Sequence, residues 1–285
     1  EVWVKHENHT PVGAFKLRGG LTYLDALRRR EPACPGVVSA TRGNHGQSIG
    51  FAARRAGLPA TIFVPHGNSR EKNAAMRSLG VTLVEHGDDF QAAREQAARY
   101  AAERGLHFVR AFDMDLVRGV ATCWMELFAA APDLDEFYVP IGQGSGICAA
   151  IAARQALGLA TRIVGVVSAL APCHALSFRE KRVVEAPVST RIADGLACRI
   201  PDAEALDLML RHVDEVVEVG DDEIAAAMRL LFAATHNVAE GAGAASLAGA
   251  LKSRDRLRGR KVGLTLCGAN VDSDVFARVL AGGSH

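Results

Sequence analysis

Short runs of β-branched and other apolar residues alternate with longer helical stretches along most of this chain. Strands are predicted at 36–40, 60–64 and 81–85, and a helix follows each of them. Strands that are separated by helices pair in parallel, because the crossover helix returns the chain to the same end of the sheet. The pattern therefore predicts an α/β fold with mostly parallel sheets.

The alternating pattern also predicts how the chain divides into domains. Residues 38–112 form a compact βαβαβ pattern, which we expect to be a small inserted domain. The flanking residues, 1–37 and 113–285, are expected to form a larger domain, with helices predicted at 124–130 and 147–157. Residues 169–218 are less regular. One domain inserted into another leaves a cleft between them, where ligands usually bind.

Composition narrows the classes of function and the compartment. The sequence has 33 basic and 32 acidic residues, a balance that argues against a nucleic-acid-binding protein. No apolar run reaches the roughly 18 residues of a membrane span. The six cysteines show no zinc-site spacing, and residues 1–13 lack a signal-peptide core, so we expect a reducing, cytoplasmic location. Because residue 1 is Glu and residues 2–5 read as a strand, we also expect a preceding segment.

Lys16 is the first candidate for chemistry. It follows a Pro/Gly turn and Phe15, at the predicted start of a helix. An isolated lysine is usually a surface residue. In an apolar pocket, however, burial lowers the pKa of a lysine and frees a nucleophilic amine, which suits Schiff-base chemistry.

A second candidate is the turn at 41–47, where a strand leads through Gly43 into a helix. The free backbone N–H groups at such a helix start favour an anion such as a carboxylate. Asn44 either binds a ligand oxygen or is the N-cap of the helix. His45 has a structural or a catalytic role, and the residues alone leave both open.

Three further segments have the composition of ligand-binding turns. The glycine-rich residues 142–146 follow a strand and open a helix, which suits one phosphate group or a structural turn. Cys267 ends a strand at the edge of the sheet where ligands usually bind, although a lone cysteine is commonly a core residue. Glu240 precedes a helix, where a carboxylate also stabilises the helix dipole.

Taken together, these segments resemble one family, the fold type II pyridoxal-phosphate enzymes of the serine/threonine dehydratase and serine racemase group. The resemblance covers essentially the whole chain and includes the Ala-Asp-Gly segment at 193–195. It implies a fold like that of the tryptophan synthase β-subunit, with two open parallel-sheet α/β lobes and pyridoxal 5'-phosphate in the cleft between them. The matching motifs are Phe-Lys-Leu-Arg-Gly at 15–19, Gly-Asn-His-Gly-Gln at 43–47, Gly-Gln-Gly-Ser-Gly at 142–146 and Cys-Gly-Ala-Asn-Val-Asp at 267–272.

The resemblance implies a role for each candidate residue. Lys16 is the Schiff-base lysine and the base at the substrate Cα, Phe15 packs beside the cofactor, and Asn44 bonds its ring hydroxyl. Cys267 faces the pyridine nitrogen, and Glu240 lies near the ring. The cofactor phosphate is held by Gly142, Gln143, Gly144, Ser145 and Gly146, and the substrate carboxylate by Thr41, Arg42, Gly43, Asn44 and His45.

The sequence departs from the family pattern at three places. Arg42 replaces a small Ser or Ala, which argues against racemisation because a guanidinium does not exchange protons near neutral pH. Arg42 either binds a second carboxylate, faces solvent or pairs across the cleft. Gln143 and Ser145 replace glycines in the phosphate loop. Ser168 stands where the family's metal site begins with Glu, so we expect no metal ion there.

The most specific hypothesis is a pyridoxal-phosphate-dependent ammonia-lyase, a dehydratase that converts a β-hydroxy-α-amino acid of the threonine or serine type to a 2-keto acid and ammonia. The alternatives are a hydroxyaspartate or phenylserine dehydratase, and an amino-acid racemase or a β-replacement enzyme on the same cofactor. A non-catalytic relative of the same fold is a third class. The expected partners are a small amino-acid substrate and a second copy of the chain in a homodimer, with no nucleic acid and no membrane.

Overall fold

The computed structural model describes residues 1–283 and contains two parallel β-sheets. The larger sheet has five strands, and every pairing in it is parallel. In spatial order these strands are β1 (Val2–His6), β9 (Val262–Leu266), β6 (Glu136–Pro140), β7 (Arg162–Ser168) and β8 (Glu215–Val219).

The smaller sheet has four parallel strands. Their spatial order is β4 (Thr82–Glu85), β3 (Ala60–Val64), β2 (Val37–Ala40) and β5 (His107–Val109). The predicted α/β class with two parallel sheets is therefore confirmed. β2 is fully buried and lies between β3 and β5, so its carboxyl end opens at the centre of the sheet edge.

Helices connect the strands of both sheets. Those that follow strands of the smaller sheet are α2 (Asn44–Ala56), α3 (Arg70–Ser78) and α4 (Phe90–Arg104). A 3₁₀ turn occupies Asp194–Leu196. The remaining helices are α1 (Lys16–Arg30), α5 (Met114–Ala130), α6 (Ser145–Ala156), α7 (Cys173–Glu180), α8 (Ala203–His212), α9 (Asp221–Thr235), α10 (Gly241–Lys252) and α11 (Ser273–Leu280).

Local capping signals set several helix ends where the sequence predicts them. The Asp89 side chain accepts a hydrogen bond from the backbone N–H of Ala92 at 2.8 Å and begins α4. Gly57 and Gly105 adopt left-handed backbone conformations and end α2 and α4. These residues act within one turn of the chain, so their effect is visible in the sequence.

One predicted helix start is wrong. α5 begins at Met114, not at 124, and its first turns include Gly119 and β-branched residues that disfavour an isolated helix. A Cβ at Gly119 would lie 2.2 Å from the carbonyl oxygen of Arg18, so close packing on α1 explains the glycine. The less regular stretch 169–218 contains α7, α8, a 3₁₀ turn and most of β8, joined by irregular segments.

The hydrophobic core around the smaller sheet extends beyond its own strands and helices. Tyr23, Leu24 and Leu27 of α1 and Leu116 of α5 pack into the same buried cluster as Val37 of β2. These four side chains lie outside the predicted small domain, 38–112. The domain boundaries stay a prediction. What the packing does show is that α1, which begins at Lys16, rests directly on the smaller sheet.

Two further observations concern the cysteines and membrane-spanning helices. All six cysteines are buried, and none forms a disulfide. Within residues 1–283, no helix combines the length and the apolar character needed to cross a membrane.

Candidate active site

A cleft opens where the carboxyl ends of strands from both sheets meet. Its walls include residues at the ends of β2, β6 and β9, and the first residues of α1, α2 and α6. The empty volume is about 800 Å³, a figure that includes open solvent at the mouth. Ligands of parallel α/β sheets bind at this end of the strands, so the topology itself favours this cleft.

Lys16 is placed in the cleft by a tight turn that is bonded to β9. The Thr10 hydroxyl donates to the carbonyl of Ala14 at 2.8 Å and accepts from its N–H at 2.9 Å. The backbone N–H of Phe15 then donates to the carbonyl of Cys267 at 2.9 Å. These bonds fix the start of α1 against the end of the larger sheet, so the amine of Lys16 has a defined position.

The environment of Lys16 favours its neutral form. The residue is only half-buried because it borders the cleft, but the surrounding protein removes water from its amine and lowers its pKa to about 8. The Glu240 carboxylate and the nearby thiols of Cys267 and Cys198 oppose this effect. Nζ donates to the hydroxyl of Ser145 at 2.5 Å and lies 5.0 Å from the centre of the Phe15 ring. An amine with this pKa is a usable nucleophile and base near neutral pH.

The glycine-rich loop at 142–146 packs closely against the backbone of Gly195. A Cβ at Gly142 would lie 2.4 Å from the carbonyl oxygen of Gly195, and Gly144 has a φ of +101°. α6 begins at Ser145, and the first N–H groups of a helix have no partner within it. The loop therefore offers backbone donors and a glycine cradle of the kind that holds a phosphate.

Asn44 and Glu240 meet at the middle of the cleft. The side-chain N–H of Asn44 donates to Glu240 Oε1, and its carbonyl accepts from Asn270 Nδ2 at 2.8 Å. The same Asn270 nitrogen donates to the carbonyl of Val12 at 2.8 Å. Asn44 is thus held from both sides, and its amide keeps a second hydrogen for a ligand. The N-cap of α2 is Gly43, so Asn44 is not the cap.

His45 is a neutral side chain of α2 that packs against the smaller sheet. Burial, assisted by the nearby charge of Lys16, lowers its pKa to about 3. The Ser39 hydroxyl donates to the carbonyl of Val109 at 2.7 Å and lies 3.0 Å from His45 Nε2. That geometry assigns the ring proton to Nε2, which donates to Ser39. The His45 ring therefore has a structural contact.

The Thr41 hydroxyl organises the turn before α2. It accepts the N–H of Gly43 at 2.8 Å and the N–H of Gly46 at 3.1 Å. Two of the backbone donors at this turn are consequently engaged, while the N–H groups of Asn44 and His45, at the start of the helix, have no partner among the described residues and can bind a carboxylate.

Lys72 is a charged residue of the cleft that the sequence analysis missed. Only 4% of its side chain is exposed, and Nζ donates to Asp194 at 2.7 and 2.9 Å and to Glu240 Oε2 at 2.9 Å. The pKa of Lys72 is raised because these two carboxylates outweigh the effect of burial. Burial raises the pKa of Glu240, but the bonds from Lys72 and Asn44 engage both its oxygens and favour the carboxylate. We call Lys72, Asp194 and Glu240 the ion triad.

Arg42 borders the cleft beside Cys198. The Arg42 Nε atom is buried and has no hydrogen-bond partner within residues 1–283. Gln143 Nε2 contacts Cys198 Sγ at 3.1 Å. Burial raises the pKa of Cys198 to about 11, while the charges of Lys16 and Arg42 act in the opposite direction.

Cys267 follows β9, and the glycine-rich loop follows the neighbouring parallel strand β6, so both lie at the same edge of the larger sheet. Its side chain is buried, and Sγ lies 3.6 Å from the carbonyl oxygen of Ala242. Burial and the nearby Glu240 charge raise the pKa of this thiol, so it is uncharged at neutral pH.

The structure brings the predicted site residues together in one place. Every one of them lines the cleft except Ser145, which is buried behind the loop and instead accepts the hydrogen bond from Lys16. Asp194 belongs to a segment that the resemblance does include, so that signal was available. The other cleft residues that the sequence analysis missed had no local motif to identify them, namely Lys72, Phe90, Ala111, Leu196, Ala197, Cys198 and Ala242.

The donor set fits pyridoxal phosphate. An amine with a lowered pKa can form a bond to an aldehyde, the glycine cradle suits a phosphate, and an amide hydrogen of Asn44 is free for a ring oxygen. The uncharged thiol of Cys267 can lie against a neutral ring nitrogen. The electrostatics and packing of the cleft therefore match the aldehyde, the phosphate, the ring oxygen and the ring nitrogen of this cofactor.

Comparison with known proteins identifies the family. The family model for pyridoxal-phosphate dependent enzymes matches residues 1–268. The L-threonine ammonia-lyase of Geobacter sulfurreducens is 35% identical over 283 residues, which is 99% of this chain and 70% of that protein. The L-threo-3-hydroxyaspartate ammonia-lyase of Saccharomyces cerevisiae is 31% identical, covering 99% of this chain and 86% of that protein.

A solved structure supports the same relationship. The processed form of threonine deaminase isoform 2 from Solanum lycopersicum superposes with a TM-score of 0.91 at 27% identity. The match covers 100% of this chain and 83% of that one. The predicted resemblance, the type II fold and the cofactor class are confirmed by these matches.

Proposed function

The chain belongs to the family of pyridoxal-phosphate-dependent enzymes, and we propose that it is an ammonia-lyase acting on a β-hydroxy-α-amino acid. In the overall reaction the substrate loses its β-hydroxyl and its Cα proton as water. Water then replaces the amino group, so that one substrate molecule gives one 2-keto acid and one ammonia. L-threonine, which the names of the most similar relatives contain, is the reference substrate.

The position and pKa of Lys16 carry this proposal. Its amine lies in the cleft, has no carboxylate bonded to it among residues 1–283 and is held by Ser145, so it is available as a base. We assign to Nζ the removal of the substrate Cα proton. A base whose pKa is close to the working pH is the most effective in proton transfer.

Other residues of the cleft would bind and orient the cofactor and the substrate. When bound, pyridoxal phosphate supplies an electron-accepting ring that stabilises negative charge at the substrate Cα. We assign its phosphate to residues 142–146, its ring hydroxyl to Asn44 and its ring nitrogen to Cys267. The substrate α-carboxylate is assigned to the backbone N–H groups of Asn44 and His45.

The uncharged Cys267 thiol supports elimination over transamination. A thiol with a raised pKa does not favour a protonated ring nitrogen as a carboxylate would. Negative charge at Cα is then best relieved by departure of the β-hydroxyl, which couples proton removal to loss of water. The same argument gives the ammonia-lyase reaction precedence over reactions that need a long-lived carbanion.

Release of 2-keto acid from a panel of amino acids tests the proposal. The purified holoenzyme is incubated with L-threonine, L-serine, L-threo-3-hydroxyaspartate and 3-phenylserine, and keto acid and ammonia are measured together. We expect equal amounts of both products from at least one substrate. Loss of the Cα proton to deuterated solvent, without any keto acid, would contradict elimination and favour racemisation or β-replacement.

We also propose that the protein is a homodimer, as the family resemblance implies. Light scattering during size-exclusion chromatography tests this, with a mass near twice 30.2 kDa expected. A mass of one chain would contradict it.

A further inference from the structure

Most of the charged side chains that line the cleft have a partner, and one does not. Both of its carboxylates, Asp194 and Glu240, are bonded to Lys72. His45 is uncharged at neutral pH because burial lowers its pKa to about 3. The amine of Lys16 is committed to the cofactor under the proposed function. Among the charged side chains that line the cleft, Arg42 is therefore the one whose charge has no assigned partner.

The hydrogen bonds of Arg42 are incomplete as well. Within residues 1–283, Arg42 forms no ion pair within 4.0 Å, and its buried Nε has no acceptor. The expected alternative of an ion pair across the cleft is thus not formed in the described chain. The protein therefore leaves the guanidinium incompletely bonded, and the half-exposed part of this side chain can gain from a ligand acceptor.

The surroundings of Arg42 place this unsatisfied donor in the part of the cleft that would receive a substrate side chain. Cys198 lines the same cleft, where the Arg42 charge partly offsets the rise of the thiol pKa caused by burial, and Gln143 contacts the sulfur at 3.1 Å. The α-carboxylate is assigned to the start of α2, immediately after Arg42 in the chain. A substrate with carboxylates at both ends would therefore meet a donor for each of them.

We propose that Arg42 is a specificity-determining residue that binds a second, side-chain carboxylate of the substrate. This inference rests on the proposed function and narrows its substrate class to acidic β-hydroxy-α-amino acids, of which 3-hydroxyaspartate is the smallest. A planar guanidinium binds a carboxylate through two parallel hydrogen bonds, which a hydroxyl or methyl group cannot offer. The products are then oxaloacetate and ammonia. The water lost in the elimination is regained when the amino group is replaced, so the atoms balance without an oxidant or a reductant.

Steady-state kinetics give the first test. For the wild-type holoenzyme we expect kcat/KM to be higher for L-threo-3-hydroxyaspartate than for L-threonine. In Arg42→Gln we expect the ratio of these two values to fall by roughly 10- to 100-fold, the effect of losing hydrogen bonds to a charged group. The matched control is Arg55→Gln on the exposed side of α2, which should leave the ratio unchanged. Equal losses for both substrates in Arg42→Gln would overturn the proposal.

Binding of unreactive ligands gives a second test that does not depend on elimination. L-aspartate and L-asparagine have the same shape and lack a β-hydroxyl, so they differ at the side chain mainly in charge. Titration calorimetry on the holoenzyme should show L-aspartate binding at least about tenfold more tightly than L-asparagine, and Arg42→Gln should remove the difference. Equal binding to the wild type would refute the Arg42 site. Selective aspartate binding without keto-acid release from any substrate would instead refute the ammonia-lyase proposal alone.

Discussion

Two lysines border the same cleft, and their pKa values are shifted in opposite directions. Lys16 is surrounded by protein that lowers its pKa to about 8, and its amine is bonded to the neutral Ser145 hydroxyl. Lys72 is more deeply buried, yet its pKa is raised because Asp194 and Glu240 both bond its amine. Burial alone therefore does not decide the charge of a lysine. The decision depends on whether the fold supplies carboxylates within hydrogen-bond distance.

The two lysines therefore have different roles: Lys16 is the reactive amine, and Lys72 stabilises the structure around it. A lysine that is desolvated and unpaired can donate its electron pair, whereas a lysine held by two carboxylates cannot do so without losing both ion pairs. Lys72 instead joins α3 to the 3₁₀ turn at 194–196 and to the start of α10. The ion triad links the smaller sheet to the larger one. Its Glu240 also accepts a hydrogen bond from Asn44.

The largest effect should come from removing the reactive amine. Lys16→Ala is expected to lower kcat by a factor of roughly 10³ or more, because both covalent attachment and proton transfer are lost. Lys16→Arg should be equally inactive, since a guanidinium stays charged. Keto-acid release and visible absorbance of the purified protein are the measurements. The exposed Lys252→Ala is the control, and turnover retained by Lys16→Ala would contradict the assignment.

The next largest effect should be on stability. Lys72→Met leaves the two carboxylates of the ion triad uncompensated, and breaking a buried ion pair costs about 3–5 kcal/mol. We expect the free energy of unfolding in urea to fall by that amount in the cofactor-free protein. Lys252→Met removes a half-exposed pair with Glu223 and should cost less than about 1 kcal/mol.

A second variant distinguishes the contribution of the Lys72 charge from that of its side-chain packing. In the Glu240→Gln background Lys72→Met leaves one carboxylate fewer, so its cost should be clearly smaller than in the wild type. An identical cost in both backgrounds would mean that Lys72 contributes through packing of its side chain and that its charge has no partner of consequence.

The comparison also predicts different titrations. In the cofactor-free protein the neutral fraction of Lys16 should rise as the pH passes about 8, reaching about one tenth at pH 7, against about one in 3000 for an ordinary lysine. Lys72 has a pKa raised above 10.5, so its stabilising contribution is complete below pH 10.5 and is lost only at higher pH. NMR of ¹³C-methylated lysines measures both, with Lys16→Arg and Lys72→Arg identifying the signals. Coincident titrations would show that the carboxylates do not distinguish the two amines.

The two lysines also show what the sequence could and could not predict. Lys16 follows a turn closed by Thr10, and the neighbouring Phe15 and Gly19 belong to a local motif, so its position was identifiable. Lys72 lies in an ordinary helix behind the Ser69 cap. Its carboxylates are 122 and 168 residues away along the chain, and only the folded structure brings them to it.

The same distinction applies to the secondary structure. The ends of α2 and α4 were predictable from Gly57, Gly105 and Asp89, because caps act within one turn. The start of α5 was not, because Gly119 is explained by the approach of α1, a contact between distant parts of the chain. Arg42 falls between these cases, since its position in a turn was visible and its missing partner was not.

The smallest effect should come from Ser145, the one hydroxyl bonded to Lys16. An acceptor at 2.5 Å favours the charged amine, so Ser145→Ala should lower the pKa of Lys16 further. The neutral fraction at pH 7 should rise by less than about tenfold, because burial remains the main cause of the shift. The Lys16 signal in the NMR titration checks this, with Ser177→Ala as a buried serine control outside the cleft. A rise in the Lys16 pKa would mean that the Ser145 hydroxyl donates to a neutral amine, and that this bond, together with burial, keeps the lysine reactive.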